Sequence, residues 1–457
     1  MAGLFDPDDS RPIHFLGISG AGMSALALAA RRRGVAVTGC DPDITAFADL
    51  AAAGATVWQG SDAAHLSGAR AVIATAAAPD DHPEITAARA AGIPVVRRKD
   101  ALADLVNGTT LVAIAGTHGK TTTTVMTTEV LRAAGLHPSG LAGGRVTAWH
   151  GNAWLDGDRV FVVEADEYDQ AFLTLHPTIA VVNNVEADHL ECYGSVDALE
   201  AAFVDFAARA RRAIIGTADA GSDRVAHAVR TPTWRFGTAA TDFTITAQDL
   251  APTGSTAEIT LPGGRTVTLR LQVPGMHNLR NATAALAVAV ALDSDIAAVL
   301  DALAGFTGVG RRFDRLGDAH GVTFVDDYAH HPTELRATLA AARQAFPDRR
   351  LVAVFQPHLF SRTREHGATM GQALAAADVV VVADVYAARE QPEPGITGKL
   401  VADAAVAAGG FVLYEPRRTE LAAEVTAVLR DGDVLLTLGA GDITHVGAEV
   451  RQLLEAR

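Results

Sequence analysis

The sequence predicts an α/β protein of three successive blocks, the middle one a parallel sheet with extra antiparallel strands. Three observations lead there. Short Val/Ile/Ala runs alternate with Ala- and Leu-rich stretches of helical length along most of the chain, the pattern of parallel sheets with crossover helices. The 457 residues are too many for one core and enough for two to four domains. Residues 231–273 break the rhythm with Thr, Gly and alternating apolar positions, which suggest antiparallel strands and hairpins.

In chain order, the first block covers residues 12–106, with strands expected at 12–16, 36–39, 71–74 and 94–97. The second opens with a strand at 111–115 and continues with strands at 160–164, 179–183 and 213–216. Hairpins are expected at 243–246 and 258–269, then a helix at 278–292. The third starts near residue 308, with strands at 323–326, 351–355, 379–383, 411–414 and 434–438 between Ala-rich helices. No internal repeat is visible.

Composition excludes several classes. Apolar residues make up 49% of the chain and charged ones 20%, as in a globular protein. No apolar run is long enough to span a bilayer, so membrane insertion is not expected. The first nine residues are acidic where an export signal would be basic. Cys40 and Cys192 show neither a metal nor a disulfide spacing, and a reducing cytoplasm fits. A net charge of −15 argues against nucleic acid and anionic membranes as partners. The chain has only three lysines, Lys99, Lys120 and Lys399.

The strongest motif is Gly116-Thr-His-Gly-Lys-Thr-Thr-Thr-Thr124, between a strand and a helix. Such a loop turns backbone N–H groups inward and adds the positive end of the helix, a cradle for phosphate. Gly116 and Gly119 give room, Lys120 can reach the β- and γ-phosphates, and the Thr121 hydroxyl can hold Mg²⁺. Ile114 stands where the full P-loop has its first glycine, so the loop is a shortened variant. Removing Lys120 is expected to abolish the chemistry and leave the nucleotide-free fold intact.

The first block carries Phe15-Leu-Gly-Ile-Ser-Gly-Ala-Gly-Met-Ser24, nearly a dinucleotide fingerprint, with Asp41 ending the next strand where an acid can bind ribose. Glu164-Ala-Asp-Glu-Tyr-Asp169 puts four carboxylates beyond a strand end, which suits Mg²⁺ bound with phosphates. His189 follows another buried strand and suits metal or substrate contact. His277, Asn278 and Asn281 fall at a helix start, where the asparagines either cap the helix or read an adenine edge. Further polar clusters follow at 310–313, 326–334 and 355–364, where α/β domains place ligands. The residues leave open an NAD-dependent dehydrogenase and a P-loop regulator without bond-forming chemistry.

These motifs, with Glu186-Ala-Asp-His189, Pro274-Gly-Met-His-Asn278, Asp326-Asp-Tyr-Ala-His-His-Pro-Thr-Glu334 and Gln356-Pro-His358, resemble those of the Mur ligases of peptidoglycan synthesis. The resemblance runs from about residue 13 to residue 443. It implies a Rossmann-like domain at 1–106 that binds UDP-sugar and not NAD. It further implies a central P-loop ATPase domain at 107–308 and a Rossmann-like domain at 309–457 that brings the amino acid. Within the family, the L-alanine-adding branch is the nearest. It implies ATP, UDP-N-acetylmuramate and L-alanine as substrates, two Mg²⁺ ions, and a bacterial, cytoplasmic monomer or homodimer. Gly17, Ser19, Gly20, Ala21, Gly22, Met23, Ser24, Asp41 and Thr75 would then face the UDP-sugar. Gly116, Thr117, His118, Gly119, Lys120, Thr121 and Thr122 would face the ATP phosphates with Arg312, and His277, Asn278 and Asn281 the rest of the nucleotide. Thr121, Glu164 and His189 would hold metal, and Tyr328, His330, His358 and Arg362 the amino acid and sugar carboxylate. Lys120, Glu164, His189, Arg312 and His330 would be catalytic. Two departures stand out. Ser19 replaces a usual glycine, and Tyr168 replaces a serine common in that branch, in a Glu-Tyr-Asp similar to the murein tripeptide ligases, which remain the alternative. Sister ligases carry a carbamylated lysine after the metal histidine, and with no lysine between Lys120 and Lys399 none is expected here.

Overall fold

Residues 3–388 and 390–456 are described by a computed structural model, and they build three sheets. The first contains β1 (Ile13–Leu16), β2 (Val37–Asp41), β3 (Thr56–Gln59), β4 (Ala71–Ala74) and β5 (Val95–Arg97) in the order β3-β2-β1-β4-β5. All its pairings are parallel. The order reverses beside β1, so the glycine loop that follows β1 opens at the switch point, where such sheets bind ligands.

The second sheet comprises β6 (Thr110–Ala115), β7 (Ser139–Val146), β8 (Gly151–Trp154), β9 (Val160–Glu164), β10 (Ile179–Val182), β11 (Arg212–Gly216), β12 (Thr233–Gly237), β13 (Phe243–Ala251), β14 (Gly254–Thr260) and β15 (Thr266–Leu271). Its order is β15-β14-β13-β12-β11-β10-β6-β9-β7-β8. Strand β6 is flanked by β9 and β10, both parallel to it, so the ends of these three strands converge on the P-loop. The antiparallel expectation for 231–273 needs correcting at its start, because β12 pairs in parallel with both β11 and β13. Only β13–β15 follow it: the two-residue link between β13 and β14 reaches an antiparallel neighbour alone.

The third sheet has β16 (Asp314–Ala319), β17 (Val322–Asp327), β18 (Leu351–Phe355), β19 (Val379–Val382), β20 (Val412–Tyr414) and β21 (Val434–Leu438) in the order β16-β17-β21-β18-β19-β20. It is parallel except for edge strand β16.

The chain packs as two compact units. One runs to Gln248 and includes Ala257–Leu269 and Arg280–Phe306; the other holds Asp249–Thr256, Arg270–Leu279 and the chain from Thr307 onward. In the first unit an apolar core continues from Ile13 and Phe15 to Phe161, Phe172 and Phe203, so the first two sheets share one interior. Polar contacts add to that junction: Asn152 Nδ2 donates to Ser24 Oγ at 2.9 Å, and the Arg145 guanidinium forks onto Asp49 at 2.6 and 2.9 Å. In the second unit apolar layers cover both faces of the third sheet. Among the described residues no helix is long and apolar enough to cross a membrane.

Candidate active site

In the first unit the helix Lys120–Ala133 begins directly after the loop that leaves β6. Gly119 precedes it at φ 78°, and a Cβ there would lie 2.6 Å from Asn281 Oδ1, so conformation and space both demand glycine. No side chain caps the helix, which leaves its first N–H groups available to an anion. Thr121 to Thr124 are poor helix formers held in place by burial.

Lys120 is engaged by the protein's own groups. Its ammonium donates to Glu167 Oε1 at 2.7 Å, to the Gly116 carbonyl at 2.7 Å and to that of Thr117 at 3.3 Å. Burial works against its charge, but Glu167, Asp166 and Glu164 outweigh that and hold the ammonium above the ordinary lysine range. Burial also pushes the Glu167 carboxyl up, against the pull of Lys120. Glu167 Oε2 is buried without a hydrogen-bond partner, so Lys120 is the counter-ion that keeps this carboxylate inside. The expectation that the fold is indifferent to Lys120 is therefore corrected.

The acidic run divides by direction. Glu164 Oε2 accepts from Thr121 Oγ1 at 2.9 Å and from the Gly143 N–H at 2.6 Å. Asp166 faces Arg98 at 3.4 Å, and Asp169 meets Lys99 at 3.0 Å. Thr121 and Glu164 thus offer the paired oxygens that suit a hard cation such as Mg²⁺. On the neighbouring strand end, His118 Nε2 lies 2.9 Å from Glu186 Oε2, and the His118 N–H donates to Asn184 Oδ1 at 2.8 Å. Thr117 Oγ1 accepts from the Glu186 N–H at 2.9 Å. Thr122 is buried in the first turn. His189, at φ 55°, has Nδ1 3.5 Å from Glu191 and meets the Tyr168 ring edge-on at 5.3 Å.

The glycine loop after β1 is held by Asp41, whose carboxylate accepts from the Ser19 N–H at 2.9 Å and the Asp43 N–H at 2.9 Å. Asp41 therefore shapes the loop. Gly17 sits at φ 79° against Thr75, where a Cβ would meet Thr75 Cγ2 at 2.7 Å. Gly20 precedes the helix Ala21–Arg32, which contains Gly22 and the buried Met23 and Ser24. A Cβ on Gly22 would come within 2.7 Å of Arg98 Nη1, so Arg98 links this loop to Asp166.

In the second unit β17, β21 and β18 lie side by side, so Asp326, Asp327, Gly439 and Gln356 share one edge. Asp327 accepts from the Phe313 N–H at 2.7 Å and the Ala329 N–H at 2.8 Å. Burial pushes its carboxyl up to about 6, with Arg312 pulling the other way. Arg311 and Phe313 adopt left-handed φ values of 58° and 49°, strain that aims Arg312 over the Tyr328 ring at 4.8 Å. His330 Nδ1 lies 2.9 Å from the Tyr328 carbonyl, which makes Nδ1 the donor and, in the neutral ring, leaves Nε2 as the acceptor. The His330 and His358 rings are 6.2 Å apart, and Arg362 Nη1 lies 3.4 Å from His358 Nδ1. Asn278 is inside the helix Met276–Ala291 and donates to the Pro274 carbonyl at 2.7 Å, so neither asparagine is an N-cap. The His277 ring lies over Gly275.

Family models cover almost the whole chain: "Mur ligase family, catalytic domain" over residues 12–110, "Mur ligase middle domain" over 114–289, and "Mur ligase, glutamate ligase domain" over 311–441. The chain belongs to the Mur ligase family. It is 46% identical to a UDP-N-acetylmuramate–L-alanine ligase of Kineococcus radiotolerans, over 97% of this chain and 96% of that one. The crystal structure of the UDP-N-acetylmuramate-alanine ligase MurC from Thermotoga maritima superposes with a TM-score of 0.83 at 31% identity, covering 97% and 99% of the two chains. A murein peptide ligase from Psychrobacter arcticus follows with 0.73 at 26% identity, covering 97% and 98%.

In this Mur ligase the partners of several site residues escaped the sequence reading. Glu167 and Glu186 pair with Lys120 and His118 from 47 and 68 residues away, and Gly143 reaches Glu164 only because β7 pairs with β9. Lys99 carried a signal, as one of three lysines in the chain. So did the Asn183–Asn184 doublet at the end of a strand beside β6.

Proposed function

We propose that this Mur ligase joins L-alanine to the lactyl carboxylate of UDP-N-acetylmuramate, converting ATP to ADP and phosphate and yielding UDP-N-acetylmuramoyl-L-alanine for peptidoglycan. The observation that carries this reading is the P-loop cluster, Lys120 with the oxygen pair Thr121–Glu164, on a chain 46% identical end to end with an L-alanine ligase. A carboxylate resists attack by an amine because its oxygen does not leave. Phosphorylation makes an acyl phosphate, and the amine then displaces phosphate. Lys120 and the loop N–H groups stabilise the charge on the phosphoryl group in transfer. Thr121 and Glu164 would hold one Mg²⁺ and His189 a second, and bound Mg²⁺ neutralises phosphate charge.

The remaining roles are part of the same proposal. Residues 1–106 take the UDP-sugar on the Gly17–Ser24 loop, residues 107–308 take ATP, and residues 309–457 bring the amino acid. Arg312 contributes to the phosphates, and Asn278 and Asn281 to adenine. His330, with Nε2 as acceptor, receives the amine beside Tyr328, His358 and Arg362. ATP and UDP-linked precursors support a cytoplasmic location. Tyr168 and the likeness to a murein peptide ligase favour a tripeptide as the second candidate substrate.

Phosphate release with ATP, Mg²⁺ and UDP-N-acetylmuramate, measured across amino acids, tests this. L-Alanine should be fastest, L-serine and glycine slower, and D-alanine poor, since one methyl is worth roughly 1–3 kcal/mol. Faster ligation of L-alanyl-γ-D-glutamyl-meso-diaminopimelate than of L-alanine would move the chain to the recycling branch.

A further inference from the structure

One face of the first sheet carries a buried cluster with no part in the ligase chemistry. Alternation along β1 sends Ile13 and Phe15 into the large core and His14 to the other face, with Thr38 and Cys40 of β2. Glu84, in the first turn of the helix Pro83–Ala90, meets them there, and His14, Cys40 and Glu84 are all fully buried. Glu84 Oε2 lies 3.3 Å from His14 Nε2 and 3.2 Å from Cys40 Sγ; Oε1 lies 3.1 Å from His65 Nδ1. His65 comes from the short turn Ala63–Leu66, and its ring stacks on Trp58 at 4.5 Å.

A carboxylate in an apolar layer calls for a compensating positive charge. The hydrogen-bond partners of Glu84 are two imidazoles, a thiol and the Asp62 N–H, none of them a lysine or arginine. Nitrogen, sulfur and oxygen donors converging in this way suit a borderline-soft divalent ion and disfavour Mg²⁺ or Ca²⁺.

We propose that His14, Cys40 and Glu84, with His65 supporting the Glu84 carboxylate, form a binding site for a zinc-class divalent cation, which ties β1, β2, the turn Ala63–Leu66 and the helix Pro83–Ala90 together. Zinc bonds of about 2.0–2.3 Å set tetrahedral donors roughly 3.3–3.7 Å apart. The donor atoms of His14, Cys40 and Glu84 lie within 4.8 Å of one another, and His65 Nδ1 holds the second Glu84 oxygen at 3.1 Å from behind. His14 Nδ1 is 3.1 Å from Thr38 Oγ1; with the proton on Nδ1 the Nε2 lone pair faces the cluster, the usual outer-shell arrangement of a metal-binding histidine. Burial pushes the Cys40 thiol up to about 12, so loading must expel its proton: M²⁺ + Cys–SH → [M–S–Cys]⁺ + H⁺. One thiolate and one carboxylate then neutralise the ion, and the buried site carries no net charge.

Cobalt(II) tests this in the full-length chain after chelator treatment. Titration should bind one equivalent with a thiolate-to-cobalt charge-transfer band in the near ultraviolet, and Zn²⁺ should bleach it. Cobalt at the all-oxygen Thr121–Glu164 pair gives no such band. The chain has two cysteines, so Cys192→Ser must keep the band and Cys40→Ser must lose it while retaining its circular dichroism. The thermal midpoint should rise with Zn²⁺ in the parent and in Cys192→Ser. Absence of the band in the parent overturns the proposal, as does its loss in Cys192→Ser or its survival in Cys40→Ser. If Cys40→Ser does not fold, the parent and Cys192→Ser titrations decide alone.

Discussion

Replacing Lys120 by alanine should cost folding stability as well as turnover. The substitution leaves Glu167, 2% exposed, without its cation. Breaking a buried ion pair from one side costs ~3–5 kcal/mol. Glu167 escapes that penalty by taking up a proton wherever pH allows. The sign follows from burial, which raises the folded-state value of this acid. The native state then binds the proton more tightly than the unfolded chain. The penalty is absent below the ordinary glutamate value of about 4.3 and grows as pH rises through the raised folded value. Thermal midpoints of the parent, Lys120→Ala and Lys120→Ala/Glu167→Gln, compared between about pH 5 and pH 8, measure it. The double variant should regain part of the midpoint lost at the alkaline end and lose the pH dependence. It should not regain activity, because loss of a phosphate contact costs about 3 kcal/mol of transition-state stabilisation. A single variant as stable as the parent at the alkaline end, or a double variant no better than the single, would refute the argument.

Gly143→Ala should reproduce the loss of Glu164. The new Cβ would lie 2.6 Å from both carboxylate oxygens, so activity should fall by about 10²-fold or more and the Mg²⁺ requirement rise in a titration at fixed ATP. Asp327, with its carboxyl near 6, should produce an acid limb in kcat/KM as it protonates and loses its charge opposite Arg312. Because that folded value is raised, its contribution to stability runs the other way, present at low pH and lost as pH rises from about 4 to 6, which pH-resolved denaturation would detect. Activity should be indifferent to bicarbonate after degassing, since no lysine between Lys120 and Lys399 is available for carbamylation; recovery of lost activity on adding bicarbonate would contradict this.

What could be read from the sequence was whatever is local. The central parallel strands announce themselves because they are buried on both faces, as β10, β18 and β21 are. The strands that escaped lack that signature. β3 is Thr-Val-Trp-Gln with both ends exposed, β7 carries three glycines, and β16 is a polar edge strand. Expected element ends mostly differ from the observed ones by one or two residues, as for the helix Met276–Ala291. The P-loop and the glycine loop were legible because strand, turn and helix are contiguous. The partners that set their electrostatics were not, because sheet order brings them together. Cys40 is the sharpest case: no spacing rule joins residues 14, 40, 65 and 84, yet alternation on two strands and one helical turn puts them around a single carboxylate.

The same logic explains why four neighbouring acids do four different things. Glu164 is the last residue of β9, and the β6–β9 and β7–β9 pairings turn it toward Thr121 and Gly143. Beyond the strand end the chain is no longer bound to alternate. The Glu167 side chain turns inward to Lys120, while Asp166 and Asp169 meet Arg98 and Lys99 at the start of the helix Arg98–Val106. Lys120 therefore donates to a carboxylate and two carbonyls of its own chain. The pair spares the loop an uncompensated buried charge. The arrangement ties the folding of the loop to the residue that the chemistry needs, which is why Lys120 and Glu167 must be varied together to separate stability from catalysis.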